Sequence, residues 1–308
     1  MLILITGGCK NGKSSKAEKI AYELSKGKDL FYLATMIASD KEDVNRIKKH
    51  ICSRESMPFT TIEKGRDIGT STDLLSDNAT VLLDSLTALL SNEMFKTSEK
   101  GDFEFFADAG KKVYRDIYYL NEKVKNLIIV SDNIQNDIGM YDSYTDSFRK
   151  GLAYLEYRLN LISDKTIEVV AGKEMDIKEK MSFDYKNING NVLVIGGAFQ
   201  GKRDFVKDKF EISSEEIFIC DEDTTDIPRG FKCYEHVEKY VFACVKRDIS
   251  PEPSFEKGAV IIFDDIFCGV VPMDELLRKY REIAGRFVQQ IAKNADVYRV
   301  FCGRGIKL

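Results

Sequence analysis

The chain has 308 residues, and its 46 Lys+Arg against 50 Asp+Glu leave a formal net charge of −4. That balance excludes a grip on nucleic acid by bulk electrostatics, and a hydrophobic content of 44% excludes a disordered chain. At roughly 150 residues per domain the length suggests about two domains.

No apolar run approaches the roughly 18 residues of a membrane span. Met1 leads straight into Leu2-Ile3-Leu4-Ile5 with no basic n-region and no small-residue cleavage site, so no signal peptide is expected. The seven cysteines are odd in number, and no two are spaced as C-x-x-C. A disulfide framework or zinc site is not expected, and a reducing cytoplasm is the natural setting. With His50 and His236 the only histidines, a metal site built on several imidazoles is excluded by count.

In chain order, Leu2–Thr6 reads as a strand and Lys13–Ser25 as a helix. Leu30–Ala34 reads as a strand, Lys41–Cys52 as a helix, Val81–Asp84 as a strand and Ser85 to Asn92 as helical. Phe103–Lys125 (helix), Leu127–Ser131 (strand), Asp142–Ile162 (helix) and Ile167–Ala171 (strand) follow. Short β-branched runs alternating with amphipathic helices predict α/β architecture, a mostly parallel sheet flanked by helices. Lys173–Gly190 is polar and reads as a linker.

The pattern then restarts. Asn191–Ile195 followed by Gly196-Gly197-Ala198-Phe199-Gln200-Gly201-Lys202 repeats Leu2–Ile5 followed by Gly7-Gly8-Cys9-Lys10-Asn11-Gly12-Lys13. The stretch ending Ile167-Glu168-Val169-Val170-Ala171-Gly172 is matched by one ending Tyr298-Arg299-Val300-Phe301-Cys302-Gly303. Two domains are expected, residues 1–178 and 191–308, the second a shortened copy of the first.

Gly7-x-x-x-x-Gly12-Lys13-Ser14 is a complete phosphate-loop pattern lying between a strand and a helix, the context it requires. Its glycines let backbone N–H groups turn toward a phosphate, Lys13 adds a cation, and the Ser14 hydroxyl suits Mg²⁺. Asp84, ending a neighbouring strand, is the candidate second metal residue, the alternative being a cap on the following helix. Arg46, His50 and Arg54 fall four apart, on one helical face suited to phosphates. A neutral imidazole there has the chemistry to attack phosphorus, though a lone histidine is more often a surface residue. His236 reads as a helix-surface residue. The aromatic stretches Phe103–Phe106 and Tyr114–Tyr119 read as core or subunit interface, or as a pocket wall.

Together these residues resemble the bifunctional adenosylcobinamide kinase/adenosylcobinamide-phosphate guanylyltransferase family of cobalamin biosynthesis. The resemblance rests on Leu4-Ile5-Thr6-Gly7-Gly8, Gly12-Lys13-Ser14, Tyr32-Leu33-Ala34-Thr35, Arg46-Ile47-x-x-His50-x-x-x-Arg54, Thr61-Ile62-Glu63 and Leu82-Leu83-Asp84-Ser85-Leu86-Thr87. It implies a phosphate-loop nucleotide-hydrolase-like fold, ATP and GTP as substrates, Mg²⁺, and a corrinoid acceptor, adenosylcobinamide. His50 matches the histidine that carries GMP, and Lys13 and Ser14 match the phosphate and Mg²⁺ contacts. The nucleotide-binding positions implied are Gly7, Gly8, Cys9, Lys10, Asn11, Gly12, Lys13, Ser14, Ala34, Thr35, Met36, Ile51, Cys52, Ser53, Arg54, Glu63 and Asp84. A homo-oligomer, or an internal pseudo-oligomer made by the fusion, is also implied.

The sequence departs from the family in both halves. The first carries Ser131-Asp132-Asn133-Ile134-Gln135-Asn136 where members carry Asn-Glu-Val-Gly-x-Gly-Ile-Val-Pro. The second keeps Gly269-Val270-Val271-Pro272 but has Arg203 where the loop needs Ser or Thr, and lacks the Arg-Ile-x-x-His element. One intact nucleotide site is expected, in the first half. A kinase that has lost guanylyl transfer, and a nucleotide-binding regulator without turnover, are the alternatives.

Overall fold

The computed structural model describes residues 1–8, 11–38, 57–95, 103–137, 141–170, 173–178, 190–267 and 272–308. It divides into two compact units, Met1–Ile134 with Tyr141–Glu179, and Gln135–Met140 with Lys180–Leu308. Among the described residues no helix is long and apolar enough to cross a membrane.

The first unit is built on seven strands: β1 (Leu2–Gly7), β2 (Leu30–Ala34), β3 (Thr60–Glu63), β4 (Thr80–Asp84), β5 (Asn126–Asp132), β6 (Lys165–Val170) and β7 (Lys173–Asp176). They lie in the order β3-β2-β4-β5-β1-β6-β7, all parallel except the β6–β7 pair. Successive residues of each strand serve opposite faces. Ile3 and Ile5 pack with Ala17 and Ala21 of helix α1 (Lys13–Ser25). Leu2 and Leu4 pack with the other face's helices, α2 (Leu86–Met94), α3 (Phe103–Lys123) and α4 (Ser143–Ile162). With both faces covered, the central strands read as unbroken apolar runs, which is why they were legible.

The second unit has six strands: β8 (Asn191–Gly196), β9 (Ile217–Ile219), β10 (Cys233–Glu235), β11 (Val260–Asp264), β12 (Ala295–Phe301) and β13 (Arg304–Lys307), ordered β13-β12-β8-β11-β10-β9. Helix α5 (Lys202–Lys209) covers one face. Helices α6 (Val237–Lys246) and α7 (Glu275–Ala292) cover the other.

The second sheet repeats the first in order, except that β3 has no counterpart. Reversed, the second reads β9-β10-β11-β8-β12-β13 against β2-β4-β5-β1-β6-β7 in the first. The register repeats too. Gly7 lies opposite Asp132 and Val169, Gly196 lies opposite Asp264, and Ile195 opposite Arg299 sets Gly196 beside Val300. A Cβ on Gly7 would stand 2.4 Å from the Val169 carbonyl oxygen, and one on Gly196 would stand 2.3 Å from that of Val300. Both loops begin at a point where the next strand leaves no room for a side chain.

The structure revises the linker. Lys173–Asp176 is the antiparallel edge strand β7, and residues 179–189 lie outside the described residues. The polar sequence Lys-Glu-Met-Asp carried no strand pattern because an edge strand buries little of either face. The predicted helix Lys41–Cys52 also lies outside the described residues.

Candidate active site

The described candidate residues of the first unit lie at the C-terminal edge of its parallel strands, where open α/β sheets hold their ligands. β1 runs into the glycine loop, β2 ends at Ala34, just before Thr35, β3 at Glu63, β4 at Asp84 and β5 at Asp132. The loop turns into α1 through Gly12, whose φ of +88° a side-chain-bearing residue rarely adopts. Lys13, 7% exposed, aims its ammonium back along the loop. Its Nζ donates to the Gly8 carbonyl at 2.9 Å and pairs with Asp132 Oδ1 at 2.8 Å. Asn11 Nδ2 donates to the Val169 carbonyl at 3.4 Å, tying the loop to β6.

Asp84 is not a helix cap. The cap is Ser85, whose hydroxyl accepts the Ala88 amide of α2 at 3.2 Å. Asp84 is half-buried and accepts the Tyr32 hydroxyl at 2.9 Å. Thr35 is fully buried, and its hydroxyl donates to the Ser85 carbonyl and accepts the Ser85 amide, both at 2.7 Å. Asn92 Nδ2 holds the Thr35 carbonyl at 2.7 Å. Thr35 thus clasps the ends of β2 and β4. Ala34 and Met36 are half-buried beside it, and Glu63 is exposed at the sheet edge, opposite Ala34. Cys9, Lys10, Arg46, His50, Ile51, Cys52, Ser53 and Arg54 lie outside the described residues.

The second unit repeats the lysine with its glycine carbonyl and its aspartate, but not Ser14 or Asp84. Lys202 Nζ donates to the Gly197 carbonyl at 2.6 Å and pairs with Asp264 at 2.6 Å. Arg203 stands at the place of Ser14. Tyr234 pairs with Ile261, so Glu235 falls at the register position that Asp84 holds in the first unit. Arg203 Nε donates to Glu235 Oε2 at 2.5 Å. The second unit therefore sets a tethered cation on the carboxylate where the first offers a hydroxyl and Asp84. Ser14 and Asp84 carry hard oxygen donors of the kind Mg²⁺ takes. Lacking the hydroxyl, the second loop has no equivalent pair.

His236 is not on a helix surface as expected. It precedes α6 in a left-handed conformation, with Nδ1 3.0 Å from Glu238 Oε1. The Glu238 carboxylate holds the imidazolium above its ordinary range, while burial pushes Glu238 itself upward. The aromatic stretch on α3 divides. Tyr114 packs against the core with Arg158 over its ring, whereas Tyr118 and Tyr119 are exposed; the side chains of Phe103–Phe106 lie outside the described residues.

Sequence comparison bears directly on this loop-and-strand arrangement. The profile of the family described as cobinamide kinase / cobinamide phosphate guanyltransferase matches residues 3–177 and 214–308. The chain belongs to that family. The match takes in β1, the first loop and the β4 edge, and leaves out 178–213, which contain the second loop. The bifunctional adenosylcobalamin biosynthesis protein CobU of Salmonella typhimurium is 27% identical over 186 residues, covering 58% of this chain and all of that protein. The protein of the same name from Escherichia coli is 26% identical over 155 residues, covering 46% of this chain and 77% of its own length. Among solved structures, the flagellar accessory protein FlaH of Methanocaldococcus jannaschii aligns over 57% of this chain and 75% of its own, at 16% identity and a TM-score of 0.26.

Sequence reading missed Asp132 as a site residue. Its partnership with Lys13 depends on β5 lying next to β1, across a separation of more than a hundred residues. The faint signal was an acidic residue ending an apolar strand, the same signal that picked out Asp84.

Proposed function

We propose that the chain phosphorylates the hydroxyl of adenosylcobinamide with ATP or GTP, and then transfers GMP from GTP through His50 to give adenosylcobinamide-GDP. The reading rests on one observation above all: a buried lysine aimed along a glycine loop at the strand ends, in a chain of this family. In the first reaction the substrate oxygen attacks the γ-phosphorus and the bond to the β-phosphate oxygen breaks, releasing a nucleoside diphosphate and, to water, the hydroxyl proton. Lys13 and the loop amides hold the phosphates in line and take up the charge that develops on them. Ser14 and Asp84 would hold Mg²⁺, which supplies further charge neutralisation on the nucleotide.

In the second reaction the His50 imidazole attacks the α-phosphorus of GTP and diphosphate departs with the bonding electrons. A phosphate oxygen of cobinamide phosphate then attacks the same phosphorus and frees the histidine. The attack requires the neutral imidazole. The second unit is read as a shortened copy with its metal pair replaced by Arg203 and Glu235, and the protein as a cytoplasmic enzyme, oligomeric or pseudo-oligomeric through its own fusion. Incubation with GTP labelled at the α-phosphate tests the reading. Label should be covalent on His50. His50→Asn should lose the label while phosphorylated cobinamide accumulates. Label on His236, or on a lysine such as Lys49, would overturn the histidine assignment.

A further inference from the structure

Lys13 spends two of its three N–H donors on the Gly8 carbonyl and Asp132. The loop lysine is thus held before any phosphate competes for it. We propose that Asp132 is a positioning residue for Lys13: it fixes the direction of the ammonium along the loop and yields it to a nucleotide phosphate. The inference rests on the nucleotide-binding reading above.

The second unit supplies the argument. There the hydroxyl of the loop has become Arg203, and the carboxylate at the Asp84 position pairs with that guanidinium. An aspartate that served only the metal pair would lose that role where the pair is gone. Yet Asp264 keeps the same register position opposite the first glycine, and the same contact with a lysine 6% exposed. The Gly197 carbonyl repeats the contact of Gly8. The flanking sequences, Ser-Asp-Asn and Phe-Asp-Asp, share only the acid. The trio of lysine, first-turn carbonyl and strand-end aspartate therefore travels with the lysine. Its physical basis is that a nearly buried ammonium needs a partner charge, and a carboxylate on the neighbouring strand fixes where the ammonium points. The same carboxylate opposes the incoming phosphates, so affinity and alignment are set against each other.

The test uses the full-length chain and two readouts, equilibrium binding of ATP and GTP and the steady-state kinase reaction. Asp132→Asn keeps the size of the side chain and removes its charge. Nucleotide affinity should rise about three- to ten-fold, the effect of removing one nearby carboxylate in a largely aqueous dielectric. The kcat should fall about ten-fold as the ammonium loses its direction. The Mg²⁺ concentration for half-maximal rate should not move. Asp264→Asn, the same change in the second unit, should lower Tm comparably without altering nucleotide affinity. An equal affinity shift in Asp264→Asn would assign the effect to stability and overturn the role. Weaker nucleotide binding with a raised Mg²⁺ requirement in Asp132→Asn would make Asp132 a metal ligand and overturn it as well. Should Asp132→Asn fail to fold, Asp132→Glu keeps the charge and displaces it by one methylene. It should retain affinity and lose kcat, and an unchanged kcat would refute the proposal. A wild-type chain that binds neither nucleotide would overturn the proposed function itself. A wild type that binds while Asp132→Asn matches it in every readout would overturn this inference alone.

Discussion

Replacing Gly7 by alanine makes a sharp test, because the structure fixes the size of the insult. The added Cβ would stand 2.4 Å from the Val169 carbonyl oxygen. Carbon–oxygen contacts normally lie near 3.3 Å or beyond, so the start of the loop must give by about 0.9 Å. A misplacement of roughly 1 Å in a positioning element costs about 100-fold in rate. The accompanying strain, about 1–3 kcal/mol for overpacking, should lower Tm by about 2–12 °C in a domain of this size. Gly196→Ala provides the matched control, with its Cβ 2.3 Å from the Val300 carbonyl in the second unit. It should lower Tm similarly and leave nucleotide transfer near wild type. Phosphorylation of cobinamide and incorporation of GMP label, each measured beside a thermal melt, separate the two. Full activity in Gly7→Ala, or a loss of activity confined to Gly196→Ala, would refute the assignment of the working loop to the first unit.

Lys13→Ala should reduce both activities by at least about 100-fold, the scale of losing one donor to developing transition-state charge; Lys202→Ala should leave turnover largely intact in the same assay. Lys112 pairs with Glu93 at 2.6 Å and with Asp67 and Asp116 at 2.9 Å, and these acids hold it above the ordinary lysine range. Because Glu93 is 2% exposed, Lys112→Met should cost about 2–3 kcal/mol by denaturant melt, the low side for breaking a buried ion pair, since Glu93 keeps the Asp67 backbone amide at 2.7 Å. His236, raised by Glu238, should stabilise the fold below about pH 6.5 and lose that contribution as pH rises through its higher folded value. The Tm gap between wild type and His236→Gln should therefore be widest near pH 6 and close toward pH 9; a gap that widens with pH would reverse the sign argued for Glu238.

The first loop and the central strands were legible for different reasons. The loop requires particular residues at particular spacings, and Gly7, Gly12, Lys13 and Ser14 meet all of them. The strands β1, β4 and β5 are buried on both faces and announce themselves as apolar runs. Six strands do not stand out in the sequence reading. β3, β7 and β13 are four-residue edge strands, β9 and β10 are three residues each, too short to carry a period, and β11 is an apolar run that the reading of the second half passes over. Asp132 and Glu235 escaped for a further reason. Each acts on a residue far away in sequence, and only the order and register of the sheet bring the partners together. The role of Thr35 in clasping Ser85 was not legible, because it too depends on a partner far away in sequence.

Gln135–Met140 belong to the second unit although they lie within the sequence of the first. The Gln135 carbonyl accepts the Ala198 amide at 3.0 Å, and Asn136 Nδ2 donates to Asp265 at 2.8 Å. Neither unit is therefore one uninterrupted length of chain. A stop codon after Gly190 would strand Gln135 and Asn136 without the groups that satisfy them, so such a fragment would report that injury along with the loss of the second unit. Excising either unit cleanly calls for a graft: residues 135–140 replaced by a short polar bridge in the one, and supplied as a fused peptide to the other.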